Sequence, residues 1–472
     1  MIDLKNLTIK SAHEDLKNGK YACRDLAEAY LNEIKKNNKE INAYLAVYDD
    51  VLEQADNAQK KFEDGTATLL TGIPIAIKGV ILIKGKRSAA SSKILENYVA
   101  SYDATAILKL KKEGAVFLGE TNLDEFAMGG STENSAFGPT RNPSDLSRVA
   151  GGSSGGSVAA VAGDMALAAL GSDTGGSVRE PAGFCGIVGM KPTYGRVSRH
   201  GLMPLGSSLD CIGPIAKTAE DAAIIYEAIK GHDVMDSTSI KEDTYPGTNK
   251  KGAIGIPWDL IKAEGVDKSV QDNFEASVEK LKSLGYKVED VSLKNLGLAL
   301  AIYYIIMPAE ASTNLARYDG VRYGLHVNGK NLMEDYMRTK GQGFGPETRR
   351  RILLGTYVLS AGYYDAYYGK AESARALLKG EFNEAFKKFD LILTPTAPFP
   401  AWKIGEKSDP LSVYLADIFT VTANIVGLPA ISVPSGFVNV EGRDLPLGIQ
   451  FMAPHGREDL LFEVGRKFES AK

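Results

Sequence analysis

The chain has 472 residues, 44% hydrophobic and 24% charged, and its 55 Lys plus Arg against 59 Asp plus Glu leave a net charge of −4 at pH 7. This is an ordinary globular composition, long enough for two or three average domains and a large buried core. It excludes a chain that grips nucleic acid unaided, which needs a concentrated cationic surface, and no segment reads as a signal peptide or a membrane span.

In chain order, residues 8–62 read as helices. Leu16, Leu26, Tyr30 and Ile34 recur at helical intervals among charges, and Ser11 with Glu14 forms a capping box. The apolar run LLTGIPIAIKGVILI (69–83) reads as a buried strand that carries Lys78. A helix over 103–113 and a strand over 115–119 lead to the turn 122–134, in which Asp124 and Glu125 read as solvated acids. Two Gly/Ser loops follow, GGSSGGS (151–157) and SDTGGS (172–177), joined by a helix-then-strand unit of small apolar residues. The strand–helix alternation runs to a helix at 217–231 and predicts an α/β fold: a large mixed, mostly parallel sheet covered by helices on both faces.

Beyond a polar, linker-like loop at 232–251, strands at 253–258 and 287–293 flank a helix at 267–284, and they either continue that sheet or begin a second lobe. Residues 295–385 are mainly helical and Tyr-rich and contain the run Arg349-Arg350-Arg351. Strands at 391–398, 430–434 and 447–454 precede a closing helix at 457–470. Cys23, Cys185 and Cys211 lack paired spacing, which suits reduced thiols in a cytoplasmic protein.

The two glycine loops carry the chemistry. Glycine at this density aims successive N–H groups at one point, so such a loop holds either a phosphate or a developing oxyanion. Neither loop has the Lys-Ser/Thr pair of a P-loop. Ser177, after Thr174-Gly175-Gly176, is placed to attack a carbonyl whose oxygen those amides would hold. None of His13, His200, His232, His326 and His455 sits in a setting that suggests a partner base, and no G-x-S-x-G elbow occurs. Lysine made neutral by burial is the other base, and Lys78 lies within an apolar strand; the alternative is an amine that snorkels to water.

Lys78 in GIPIAIK, Ser153 in GGSSGGS and Ser177 in SDTGGSVREPA, the serines 24 residues apart, resemble the amidase signature family. The resemblance implies a Ser-Ser-Lys set: Ser177 as nucleophile, Ser153 as the serine that bridges across a cis peptide, Lys78 as base, and Thr174, Gly175, Gly176 and Ser177 as oxyanion hole. It implies one domain over 1–472, with an N-terminal helical region (1–65), catalytic core motifs (66–230) and a helical substrate-binding region (295–385). The chain departs from the family at Gly79-Val80, where Asp-Asn or similar usually follows the lysine.

Within the family, LGETNLDEFAMGGSTENSAFGPTRNP (118–143), residues 183–214, RRRILLGTYVLSAGYYDAYY (349–368) and residues 417–436 are similar to the A subunits of glutamyl-tRNA(Gln) amidotransferases. That likeness implies glutamine as substrate, held by Arg351 at its carboxylate and Asp417 at its amino group, with Met128, Gly129, Ser131 and Tyr303 lining the site. It also implies B and C partner subunits, tRNA held mainly by B, ATP and Mg²⁺ used by the partner, and no cofactor or metal on this chain. A stand-alone small-amide amidase would share the three catalytic residues and lack the clamp; a non-catalytic assembly subunit is favoured only by Gly79-Val80.

Overall fold

The computed structural model describes residues 2–245, 252–407 and 409–471. The strands are β1 (Tyr44–Val47), β2 (Pro74–Lys78), β3 (Val116–Thr121), β4 (Arg141–Asn142), β5 (Asp145–Val149), β6 (Ala168–Asp173) and β7 (Val188–Lys191). They continue with β8 (Cys211–Ala216), β9 (Ala253–Ile256), β10 (Lys287–Asp290), β11 (Leu391–Pro395), β12 (Ala430–Val440) and β13 (Arg443–Met452). Eleven of them form one sheet in the order β1-β3-β2-β6-β8-β7-β12-β13-β11-β9-β10, and β4 and β5 pair separately. Residues 253–290 therefore extend the same sheet and begin no second lobe.

Successive residues of a strand point to opposite faces. Every residue of β2, β3, β6, β7, β8 and β11 is buried, so both faces are covered there. Pairing is parallel across β3, β2 and β6 and across β11, β9 and β10. It is antiparallel between β1 and β3 and throughout β6, β8, β7, β12, β13 and β11. The sheet is mixed, and the expectation of a mostly parallel one is corrected. Residues read as two short strands form a long hairpin, β12–β13, whose turn residues Glu441 and Gly442 take left-handed φ of 52° and 79° and match strand twist.

Four further expectations change. The N-terminal helices Ile9–Lys17, Cys23–Ile41 and Val51–Glu63 are interrupted by β1, which pairs at the sheet edge. The first helix is capped by Thr8 with Ser11 as its reciprocal partner, one turn ahead of the Ser11/Glu14 reading, because the helix starts earlier. The run 69–83 is a strand only over Pro74–Lys78: Gly72 at φ 77° turns the chain in, and the Ile81 N–H closes a turn on the Lys78 carbonyl. Leu296–Arg317 is long and apolar enough to cross a membrane by length and composition. It packs within the protein instead, the Ala299–Asn314 helix lying against Pro346–Val358 and Lys370–Lys388 and carrying Tyr303 and Tyr304. Of the polar loop 232–251, residues 246–251 lie outside the described residues.

Candidate active site

β2 delivers Lys78 at its C-terminal end, wholly buried. Its Nζ lies 2.8 Å from Ser153 Oγ, 2.9 Å from Ser172 Oγ and 3.2 Å from the Ser172 carbonyl. Burial drives the amine from 10.5 to about 7, partly opposed by the charges of Asp124, Asp173 and Asp210. An amine so placed is available as a neutral base near pH 7. Ser153 follows a cis peptide from Gly152, and the Ser154 N–H donates to the Ser177 carbonyl at 3.0 Å, fastening the two glycine loops together. Lys78 and Ser153 are fully buried while Ser177 retains 7% exposure, so the series runs from the core outward.

The turn that presents Ser177 is pinned by Asp173 at the end of β6. Its carboxylate accepts from the N–H groups of Gly176 (2.9 Å) and Val178 (3.2 Å), from both edges of the Arg179 fork and from Asn424. Burial alone would raise this acid, but the Arg179 charge and hydrogen bonds, with Lys191 and Asn424, hold it at about 2. The Gly176 amide is thus spent on Asp173, which corrects its assignment to the oxyanion hole. The N–H groups of Thr174, Gly175 and Ser177 have no acceptor among the described residues. Thr174 is tied by its hydroxyl to Asp210 (2.7 Å), and a Cβ at Gly175 would lie 2.6 Å from the Tyr303 ring. Tyr303 therefore closes directly over the turn and is more than core filling.

The 122–134 loop is not a solvated turn. Asp124 and Glu125 are buried, which corrects the reading from sequence, because each caps backbone groups that would otherwise be orphaned. Asp124 accepts from the N–H groups of Ser131, Thr132 and Asn134 at 2.8–3.3 Å. Its carboxyl fills the space where side chains at Gly129 and Gly152 would stand, 2.3 and 2.2 Å from their Cβ positions. Glu125 accepts from Gly345 N–H (2.8 Å) and Thr348 Oγ1 (2.6 Å), which anchors the start of the Pro346–Val358 helix to this loop. Met128 and Ser131 are buried; the Met128 carbonyl accepts from Asn134, and the Ser131 amide packs against Gly152 beside Ser153.

The departure at Gly79 has a structural counterpart. A Cβ there would lie 2.7 Å from Glu120 Oε1, so a carboxylate from β3 occupies the place of a side chain at 79. Arg87 Nε and the Ala89 N–H hold it, each at 2.9 Å.

At the clamp, Arg349 is exposed and Arg350 is half exposed, while Arg351 keeps 4% exposure and points inward. Its Nε donates to Glu347 at 2.7 Å. Asp417 accepts from the Tyr304 hydroxyl at 2.7 Å, and burial lifts its carboxyl to about 7. Its other oxygen and Glu180 Oε1 flank Gly130, 3.9 and 3.8 Å from the Cβ position there. Glu180 Oε2 accepts from Gly152 N–H (2.9 Å), Oε1 is buried without a partner, and burial holds the carboxyl protonated well above its usual range. Among the described residues no His/Cys/Asp/Glu group could hold a metal ion.

Sequence reading missed Asp173, Glu180, Asp210, Tyr304 and Glu347. Only Glu347 left a clear signal, an acid one helical turn before Arg351.

A family model described as Amidase matches residues 25–462. The chain is 49% identical over 476 residues to the A subunit of glutamyl-tRNA(Gln) amidotransferase from Desulfatibacillum aliphaticivorans, covering 99% of this chain and 98% of that one. It superposes on the crystal structure of the Thermotoga maritima protein of the same name with TM-score 0.80 and 41% identity, over 99% of this chain and 95% of that one. It also matches 6-aminohexanoate cyclic dimer hydrolase, with TM-score 0.82 and 26% identity over 100% and 98% of the two chains. One scaffold thus serves different amides, and the match over nearly its whole length places this chain within the amidase family.

Proposed function

We propose that the chain is the glutamine-hydrolysing subunit of a tRNA-dependent amidotransferase, with Lys78, Ser153 and Ser177 as its catalytic residues. Neutral Lys78 takes a proton relayed through Ser153 as Ser177 Oγ attacks the side-chain amide carbon of glutamine. The free amides of Thr174, Gly175 and Ser177 face the developing oxyanion, where each good donor contributes about 3 kcal/mol. The proton returns through Ser153 to the leaving nitrogen, ammonia departs, and water cleaves the acyl-enzyme to glutamate. Ammonia then passes to a B subunit that uses ATP and Mg²⁺ to amidate Glu-tRNA(Gln), with a small C subunit in the assembly; these partners and a cytoplasmic location follow from the relatives' shared name.

The observation that carries this reading over a small-amide amidase is the clamp. Arg351 and Asp417 put a cation and a carboxyl in buried positions, linked by Tyr304, at the site of Ser177. Opposite charges fixed at two points suit a free amino acid. The test is glutamate release from glutamine by the native chain and by Ser177→Ala, alone and with the partner subunits. Release that depends on Ser177 supports the proposal. Hydrolysis of simple amides with none of glutamine overturns it.

A further inference from the structure

Glu347 stands one turn before Arg351 on the Pro346–Val358 helix, with its side chain 10% exposed. One oxygen, Oε1, accepts both from Arg351 Nε at 2.7 Å and from the Tyr414 hydroxyl at 2.8 Å, and Oε2 pairs with Arg350. The Tyr414 ring stacks on Tyr304 with centroids 3.9 Å apart, and the Arg351 guanidinium carbon lies 5.3 and 5.5 Å from the two ring centroids. Tyr304 in turn donates to Asp417. A continuous run of contacts therefore joins the two ends of the amino-acid site, and Glu347 is its hub.

The geometry leaves one edge of the guanidinium free. Glu347 holds Nε; Nη1 meets only the Met307 sulfur at 3.8 Å, and Nη2 has no acceptor among the described residues. Arginine is a long side chain with many rotamers, and a fork that must be ordered on binding loses affinity. An acid that grips Nε orders it beforehand and leaves the Nη1–Nη2 edge for a carboxylate. Glu347 stays ionised despite burial because Arg351 lies against it.

We propose that Glu347 is a positioning residue for amino-acid recognition, aiming the Arg351 fork at the α-carboxylate of the bound substrate and coupling it through Tyr414 and Tyr304 to Asp417. This rests on the glutaminase reading above. The experiment compares kcat and KM for glutamine in the native chain, in its complex with the partner subunits where the isolated chain is silent, with Glu347→Gln and Tyr414→Phe. Gln keeps the shape and one acceptor oxygen but loses the charge. The expected result is a KM for glutamine raised about tenfold in Glu347→Gln, with kcat within about twofold, and a smaller rise in the same direction in Tyr414→Phe. An unchanged KM in folded Glu347→Gln, or a loss in kcat alone, overturns the proposal. Where Glu347→Gln does not fold, an unchanged KM in Tyr414→Phe overturns it equally. Native protein without glutamine turnover overturns the glutaminase reading and this inference together, whereas active native protein with an indifferent Glu347→Gln overturns this inference alone.

Discussion

The Lys78 amine lies 2.8 Å from the Ser153 hydroxyl, and its remaining hydrogen bonds go to Ser172, so no carboxylate is bonded to it among the described residues. A buried amine without a bonded counter-ion is poised to lose its proton. This relationship makes the base identifiable from geometry and ties catalysis to pH.

Lys78→Met is expected to lower kcat by about 10³-fold or more, the upper part of the range for a lost general base, with the fold retained. In the native protein, kcat/KM falls below pH 7 as Lys78 and Asp417, both near 7, take up protons; the log–log slope approaches two. The stability sign is opposite to the activity cost. A lysine lowered to about 7 from 10.5 binds fewer protons folded than unfolded across that window, so its penalty is greatest below pH 7 and fades towards pH 10. Urea midpoints of Lys78→Met should exceed the native ones at pH 7 and converge with them near pH 10.

Glu180→Gln is expected to be tolerated. Gln keeps an oxygen for the Gly152 N–H, and the native carboxyl is already neutral because burial raises it. A raised acid gives its full stability below its unfolded value near 4.5 and loses it as pH rises above that, since only the unfolded state ionises. Glutamine cannot ionise in either state, so the variant should gain on the native protein between pH 5 and pH 8 in chemical denaturation. Glu180→Leu, which leaves the Gly152 amide unsatisfied, should cost about 1–3 kcal/mol.

Gly79→Asp would introduce the residue usual in the family and is nonetheless expected to destabilise this chain. Its Cβ would meet the Glu120 carboxylate at 2.7 Å, adding overpacking of about 1–3 kcal/mol to like-charge repulsion. Adding Glu120→Ala should recover part of the loss, a coupling measurable as a double-mutant cycle in urea.

The sequence by itself determined the local chemistry. Lys78, Ser153 and Ser177 were legible because an apolar strand with one lysine and two glycine loops are patterns set by neighbours in the chain. The helical periodicity of the N-terminal region and the strand–helix alternation were legible for the same reason. Tertiary structure alone decided what depends on distant segments meeting. Glu120 fills the space beside Gly79, Asp124 folds back between Gly129 and Gly152, and Tyr303 closes over Gly175. Strand direction also waited on the tertiary fold, because β6, β8 and β7 pair by contacts that no local pattern encodes. So did the choice of Arg351 over its two neighbours. Three consecutive arginines are alike in sequence, and only the rotation of their helix against Ala299–Asn314 turns Arg351 inward and leaves the others to water.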